Sequence, residues 1–349
     1  MIPGDSSTPR PASVLARAAR LEAAGRAEAK ALLGGEACPG TSPLGRFNDA
    51  DPLAVILRRV LLRLRLPLPV AALVGRLAGC TFGDDYLLWR GARAAIGRRS
   101  DWSRLTGGVR ILMYHAVGGP GERGSTYVVP SSMLARQLAL VDRLGFIVIS
   151  LDAYVAARGA GRLPPRRALI LTFDDGYADV ADVAAPLLRA RGHPATVFVV
   201  TSAVCEDACG SGCHPLLPRP VLSWRGLAAL DDAAIGVGGH GDEHRPLASL
   251  PEEYARADIA ACAAALAMRV PPGPHVLAFP HGDHDSGVAA LAADCGFAAG
   301  VTSRPGLNDP ATPLYGLRRI EVRGTMSIAR FVLALVLGRG TLLRRRTPP

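Results

Sequence analysis

The sequence has almost no lysine and few aromatic residues. Lys30 is the only lysine among 40 basic residues, and aromatic residues make up 5% of the 349 positions. The net charge of +10 is accompanied by no RNA- or DNA-binding motif. Charged residues account for 20% and hydrophobic residues for 49%, which excludes a disordered or collagen-like chain. We therefore expect a globular protein without a nucleic-acid partner.

Long apolar runs are also missing. The first thirty residues lack the basic start and apolar core of a secretory signal peptide. The most apolar stretch, residues 52–80, is interrupted by five arginines and two prolines. It therefore falls short of the ~18 to 20 apolar residues that cross a bilayer. These absences predict a cytoplasmic protein, with association at a membrane surface as an option.

The positive charge lies at the two ends of the chain. Residues 1–107 carry +7, residues 108–325 carry −2, and residues 326–349 carry +5. We expect a basic, mainly helical extension of unknown role, then a catalytic domain, then a basic C-terminal helix and tail. Arginines at 58–76 and 339–346 could contact anionic lipid. An arginine-bearing helix packed on the main domain explains the first group equally well.

Three of the seven cysteines form a cluster. Cys205, Cys209 and Cys213 are spaced C-x3-C-x3-C and are followed at once by His214. The odd total and the lack of a signal peptide argue against a disulfide framework. The spacing matches no common zinc pattern. The interpretation stays open between a surface loop and a metal or redox site.

Short apolar segments alternate with amphipathic ones from residue 109 onward. Helices are predicted at 12–33, 131–144, 179–190, 251–270 and 287–295. Strands are predicted at 109–115, 168–173, 195–200, 234–239, 275–279, 299–303 and 318–322. This alternation is typical of a largely parallel α/β sheet, either open or closed into a barrel. Functional groups in such sheets lie at the carboxyl ends of the strands.

Polar residues follow three of these strands. Asp174 and Asp175 come first, and two neighbouring acids can divide their labour between a metal and a base. A helix N-terminal cap is the alternative. His240 and His244 come second, and this spacing can offer two imidazoles to one cation. Coincidence is the alternative for such a short pattern.

The third strand end reads Phe-Pro-His-Gly-Asp-His-Asp over residues 279–285. Pro280 restricts the chain direction there. The backbone N–H of His281 could face a reacting oxygen. A polar turn is the alternative.

Together, in this order, the three segments resemble the motifs of one family. Residues 172–176 look like T-F-D-D-G, residues 240–244 like H-[ST]-x-x-H, and residues 279–282 like F-P-Y-G. The stretch 110–322 therefore resembles the polysaccharide deacetylase family, the NodB-homology domain of carbohydrate esterase family four. The resemblance implies a distorted β/α barrel with one divalent metal ion, usually zinc, that removes N-acetyl groups from amino-sugar polymers.

The resemblance also implies roles for individual residues. Matching positions make Asp175, His240 and His244 the metal ligands and Asp174 the general base. The metal would lower the pKa of a bound water and polarise the amide carbonyl. The substrate implied is an N-acetylated glycan.

The sequence departs from the family pattern at several positions. Gly241 stands where the second motif has a serine or threonine. Ala278 replaces an arginine that pairs with the base, and His281 replaces a tyrosine. The family's last motif supplies a histidine as general acid, but no histidine follows His284.

Other residues are candidates for the missing groups. His281 and His115 are the favoured general acids, with His284 a further candidate. Arg319 is a candidate for the cation beside the base, because it matches a recurring Arg-Ile pair; a structural arginine is the alternative. Pro280, Tyr177 and Trp224 could support the base or contact substrate. For Tyr177 the alternative is a cap or turn. For Trp224 the alternative is packing inside the fold.

These observations predict a metal-dependent hydrolase that removes N-acetyl groups from an amino sugar. The sugar would belong to a polysaccharide, a glycolipid or a glycan precursor in cell-envelope or exopolysaccharide synthesis. One alternative is a C–N hydrolase of the same fold acting on small amides or cyclic ureides. Another is a degenerate domain that binds glycans without turnover, which Gly241, Ala278 and the missing late histidine favour.

Overall fold

A computed structural model describes most of the chain. The described residues are 11–36, 38, 40–49, 52–64, 67, 69–70, 83–207, 219–230 and 234–338.

A curled parallel sheet forms the centre of the molecule. Its strands run in the order β10-β1-β5-β6-β7-β8-β9, and β4 lies beside β5. β2 and β3 form a separate parallel pair. The strands are β1 (Arg110–Tyr114), β2 (Ala116–Gly118), β3 (Val128–Pro130), β4 (Ile147–Val148), β5 (Ala168–Phe173), β6 (Ala195–Val199), β7 (Ile235–Gly239), β8 (Val276–Ala278), β9 (Ala299–Val301) and β10 (Ile320–Glu321).

The chain that leads into β10 links the two ends of the sheet. Leu317 donates its N–H to the Gly300 carbonyl at 3.0 Å and accepts from the Thr302 N–H at 2.8 Å. Three residues further on, β10 pairs with β1. The sheet therefore curls into a distorted barrel, which confirms the predicted fold class. β10 is shorter than predicted, because residues 317–319 pair with the β9 side before the chain reaches β1.

Helices cover the outside of the sheet. In the described residues they are α1 (Pro11–Gly34), α2 (Pro52–Leu64), α3 (Gly83–Ala95), α4 (Arg99–Thr106), α5 (Ser131–Arg143), α6 (Leu151–Gly159), α7 (Ala185–Arg189), α8 (Trp224–Ala228), α9 (Glu252–Arg269), α10 (Ser286–Asp294) and α11 (Ile328–Leu337). A π-helical turn, Val180–Ala184, precedes α7. None of the helices in the described ranges is both long and apolar enough to span a bilayer.

The N-terminal helices form a second core, as expected for a mainly helical extension. Glycines allow α1 and α3 to approach closely, since a Cβ at Gly25 would lie 2.0 Å from the Leu88 carbonyl oxygen. Phe47 packs edge-on against Trp89, with ring centroids 5.4 Å apart. The predicted boundaries at residues 107 and 325 stay predictions. The described part of the C-terminal segment packs into the barrel core through α11.

Arginines of α2 bind within this N-terminal region. Arg58 donates to the Phe47 carbonyl at 2.7 Å and lies 4.6 Å from the centroid of the Trp89 ring. Arg59 donates to Asn48 Oδ1 at 2.9 Å. These two side chains fit the packed-helix alternative, and contact with lipid stays a prediction. The other arginines named for lipid contact that lie outside the described residues are Arg65, Arg76 and those at 339–346.

A buried carboxylate joins the N-terminal region to the barrel. Asp309 accepts from the Asn48 N–H at 2.7 Å and from Asn48 Nδ2 at 2.5 Å. Burial raises the pKa of Asp309 to about 7, although the hydrogen bonds from Asn48 lower it. The stability of the contact between the two regions therefore depends on pH.

We predict that stability falls as pH rises through this range. The unfolded chain releases the Asp309 proton near pH ~3.9, whereas the native state holds it to about pH 7. The stabilisation from protonated Asp309 is thus complete below the pKa of the unfolded chain. It is lost as the pH rises to the pKa of the native state. The free energy of unfolding should fall by up to about 1.4 kcal/mol per pH unit. Asp309→Asn should flatten this slope in denaturant titrations at pH 5 to 8, and Glu253→Gln, on exposed α9 surface, should keep it. An unchanged slope in Asp309→Asn would contradict the assignment.

Candidate active site

The two adjacent carboxylates follow β5 and meet different partners. β5 is buried at all six positions, and the backbone N–H of Asp174 continues the pairing with β1 by donating to the Tyr114 carbonyl at 2.9 Å. Asp175 then adopts φ +71 and Gly176 φ +70, the left-handed region that Asp and Gly tolerate best. This sharp turn places Asp174 against Arg319 and Asp175 against two histidines.

Arg319 holds Asp174 through a bidentate contact. Its two terminal nitrogens donate to the two carboxylate oxygens at 2.6 and 2.7 Å, and both side chains are at most 3% exposed. Arg319 Nε also donates to the Thr302 carbonyl at 2.9 Å, which fixes the guanidinium plane. Burial alone would raise the pKa of Asp174, but the charges of Arg319 and His240 outweigh burial and lower it. Asp174 is therefore ionised at neutral pH.

Asp175 lies between His240 and His244. The Nε2 atoms of the histidines are 3.4 and 3.5 Å from Asp175 Oδ1, and all three residues are buried. Two ligands of a tetrahedral zinc ion at ~2.0–2.1 Å lie roughly 3.3 Å apart. The residues present therefore fit a small divalent cation in both chemistry and spacing.

A backbone contact sets the orientation of the His240 ring. Its Nδ1 lies 2.7 Å from the Ala278 carbonyl oxygen. A carbonyl only accepts, so Nδ1 carries a proton, and Nε2 is the ring nitrogen directed at Asp175. A metal-binding histidine commonly donates its second ring N–H in this way.

The third motif forms a tight turn beside the histidines. His281 has φ +58 and Gly282 φ +70. A Cβ at Gly282 would lie 1.8 Å from Ser303 Oγ, so the turn requires glycine. The His281 ring lies 4.5 Å from the His244 ring, centroid to centroid, and its Nε2 lies 3.3 Å from the His244 carbonyl oxygen. Pro280 is buried beneath this turn.

His115 reaches the same place from the end of β1. Its ring packs edge-on against Tyr127, with centroids 5.0 Å apart. The side chain is partly exposed, and its charge is among those that lower the pKa of Asp174. His115 and His281 therefore reach the same cavity from two different elements.

An open cavity of about 290 Å³ brings these groups together. It contains the predicted base, the three predicted metal ligands, both favoured acid candidates and Arg319. The lining residues are Met113, His115, Tyr127, Asp174, Asp175, His240, His244, Phe279, His281, Gly282, Ser303, Arg319, Glu321 and Arg323.

Four polar residues of this lining were not predicted: Tyr127, Ser303, Glu321 and Arg323. Arg323 Nε donates to Glu321 Oε2 at 2.8 Å. Ser303 and Glu321 lie in predicted strands, so their positions at strand ends were a usable signal. Nothing in the sequence marks Tyr127, because it lies in the segment that leads into the unpredicted strand β3.

Three other candidates lie away from the cavity lining. Tyr177 is fully buried and hydrogen-bonds the Asp175 carboxylate; burial and that negative charge raise its pKa. Trp224 packs against the core, and Arg269 lies 5.9 Å from its ring centroid. His284 packs against the Phe279 ring at 5.0 Å.

The cysteine cluster is only partly described. Cys205 is disulfide-bonded, which the odd cysteine count had argued against. Cys209, Cys213 and His214 lie outside the described residues. The proposed metal or redox role of the cluster stays a prediction.

Comparisons with known proteins agree with the motifs. Residues 161–300 match the family model described as polysaccharide deacetylase. The Bacillus subtilis protein named "Putative polysaccharide deacetylase YxkH" is 22% identical over 221 residues, which cover 63% of this chain and 74% of that protein.

Two solved structures share the fold. The Streptococcus pyogenes deacetylase PplD in complex with acetate has a TM-score of 0.55 and 22% identity, over 66% of this chain and 98% of that one. IcaB from Ammonifex degensii has the same TM-score and identity, over 66% of this chain and 97% of its own.

The matched segment contains all three motifs, whereas His115 and Arg319 lie outside it. Motif order, barrel and family model agree. Residues 161–300 of this chain are therefore similar to the polysaccharide deacetylase family.

Proposed function

We propose that this protein is a metal-dependent hydrolase that removes N-acetyl groups from an amino sugar in a glycan. The observation that carries the proposal is the different environment of two neighbouring acids in one open cavity. Asp174 is paired with Arg319, and Asp175 lies between two histidines. Hydrolysis of an amide needs an activated water, a stabilised oxyanion and a proton for the departing amine. The cavity contains a candidate for each.

Asp175, His240 and His244 are the residues that would hold the metal. A divalent cation, with zinc the usual one for two imidazoles and a carboxylate, would polarise the acetamide carbonyl and lower the pKa of water. The protein's own contribution there is a rigid ligand set at strand ends, with the His240 ring fixed by the Ala278 carbonyl.

Asp174 is the proposed general base. It is ionised, and it lies next to the ligand set, so it can accept a proton from water. Arg319 is a positioning residue, since it orients the carboxylate through two hydrogen bonds. In this chain Arg319 takes the part that the family's third motif gives to an arginine at the position of Ala278.

His115 is the proposed general acid. It is partly exposed and faces the cavity near Asp174, so it can exchange protons with solvent and reach the leaving amine. His281 is also exposed, but its ring packs against His244. We propose that the His281 side chain forms part of the cavity wall and that its backbone N–H stabilises the developing oxyanion.

The proposed substrate is a glycan polymer of which one sugar unit enters the cavity. The cavity of about 290 Å³ lies near the lower end of the ~300–1,000 Å³ range of ligand pockets. It therefore suits one acetylated sugar, with neighbouring sugars outside. The match to the family model described as polysaccharide deacetylase supports a polysaccharide substrate, and we propose a glycan of the cell envelope or an exopolysaccharide.

Asp174→Asn should separate catalysis from metal binding. We expect one divalent ion per chain in the wild type and in the variant, because Asp175 and both histidines remain. Acetate release from N-acetylglucosamine oligomers should fall by about 10²- to 10⁴-fold, the usual contribution of a general base. Metal content by mass spectrometry and acetate by a coupled assay measure the two effects, with Glu253→Gln as the control.

The outcomes distinguish the rival functions. Metal without acetate release from any acetylated glycan would favour the small-amide hydrolase or the glycan-binding domain. A wild type that binds no metal would refute the ligand assignment.

His115→Gln should impair amide hydrolysis more than ester hydrolysis. An amine must be protonated to leave, whereas nitrophenolate leaves without a proton. We expect kcat for acetylated oligomers to fall by about 10²- to 10⁴-fold and kcat for 4-nitrophenyl acetate to fall far less. His281→Gln should lower both rates to a similar extent. The reverse pattern would make His281 the acid.

A further inference from the structure

A carboxylate from a distant helix holds the loop that carries His240 and His244. Asp258 lies on α9. Its Oδ1 accepts from the Asp242 N–H at 2.8 Å, and its Oδ2 accepts from the Glu243 N–H at 3.1 Å. Asp258 is only 7% exposed. Both oxygens of a buried carboxylate are thus committed to the backbone between the two histidines.

Asp258 is out of place on its helix. The other residues of the buried face of α9 are apolar: Ala255, Ile259, Cys262 and Leu266. A buried carboxylate is costly unless hydrogen bonds compensate for lost water. Burial raises the pKa of Asp258, and the two backbone donors oppose that rise. The apolar face anchors α9 against the barrel, so the carboxylate is held on a rigid support.

The loop is held from its other side by the segment after β6. Thr201 donates its N–H to the Gly241 carbonyl at 3.2 Å and its hydroxyl to Asp242 Oδ1 at 2.6 Å. The His240 N–H donates to the Val199 carbonyl at 2.7 Å. The loop is therefore clamped between the barrel and α9, and Asp258 supplies the α9 side.

Gly241 and Asp258 form a matched pair. Gly241 has φ +72, and a Cβ there would lie 2.8 Å from Asp258 Oδ1. The carboxylate and a side chain at position 241 compete for the same space. This is the position at which the chain departs from the serine or threonine of the family motif.

We infer that Asp258 is a positioning residue for the metal site, which holds the backbone of residues 241–243 and thereby sets the spacing of His240 and His244. The inference rests on the metal site proposed above. In the family motif a serine or threonine hydroxyl supports the histidines, but Gly241 has no side chain to do so. The Asp258 carboxylate supports the loop instead. Loss of an outer contact of this kind typically weakens metal binding by about 10- to 100-fold.

Asp258→Asn tests the inference on metal affinity. The amide keeps the size of the side chain, but its nitrogen cannot accept the second N–H. We expect the Kd for zinc, from competition titration of the apoprotein against a chelator, to rise by about 10- to 100-fold. Glu253→Gln makes the same chemical change on the exposed face of α9 and should leave the Kd unchanged. Titrations are run far below the unfolding midpoint of each variant, so general destabilisation does not alter the Kd.

A double-mutant cycle tests the contact with Gly241, and its first arm, Gly241→Ala with Asp258 intact, needs no Asp258 variant that folds. Gly241→Ala should weaken zinc binding when Asp258 is present, because the new Cβ meets the carboxylate. It should weaken binding less in an Asp258→Ala background. The cost of φ +72 is common to both backgrounds and cancels. Equal losses in both would overturn the matched pair.

The result also separates this inference from the proposed function. If the wild type binds zinc and Asp258→Asn binds it as tightly, the positioning role is wrong and the metal site stands. If the wild type binds no zinc, both fail together.

Discussion

The buried ion pair between Asp174 and Arg319 is the contact on which the catalytic end depends. Two neighbouring carboxylates out of water oppose each other's ionisation, and one would take up a proton if no cation were near. Arg319 removes that conflict with a planar, bidentate contact that a lysine cannot reproduce. Asp174 can then stay ionised while Asp175 faces His240 and His244. The separate environments of the two acids follow from this one arginine.

The same arginine also belongs to the closure of the barrel. Its backbone N–H donates to the Arg304 carbonyl at 3.0 Å, and its Nε donates to the Thr302 carbonyl. The next residue, Ile320, pairs with Leu112 in β1. Completion of the sheet and neutralisation of Asp174 therefore occur together. Removing the guanidinium would leave a buried carboxylate without its cation. Such a change typically lowers the free energy of unfolding by about 3–5 kcal/mol.

The sequence predicted much of the fold because the barrel strands are short, buried runs between amphipathic helices. β5, for example, begins and ends where its apolar run does. Strands of two or three residues, such as β4 and β2, were missed because they are too short to show a period. The order of strands across the sheet carries no local signal, so only the motif order and the family resemblance indicated a barrel.

The site was predictable where its residues follow strands and less so where distant segments meet. Asp174 and Asp175 were visible as an acidic pair at a strand end. The contact of Asp174 with Arg319 joins residues far apart in the chain. From the sequence, Arg319 was either the cation beside the base or a structural arginine. Asp258 was hidden because an acid in a helix is ordinarily on the solvent side. Its burial becomes evident only when α9 is placed against the loop.

The proposed catalytic residues and the residues proposed to contact the substrate lie in different parts of this barrel. The proposed base and ligands sit at strand ends, where packing holds them rigidly, whereas Tyr127 and the Glu321–Arg323 pair form the cavity wall outside the segment matched by the family model. Because the wall charges are paired with each other, they offer oriented donors and acceptors without a strong net field. Tyr127 adds an apolar ring face. Under the proposed function such a wall suits an uncharged sugar with many hydroxyl groups, so we expect substitutions there to change substrate selection and to leave the proposed catalytic groups unaltered.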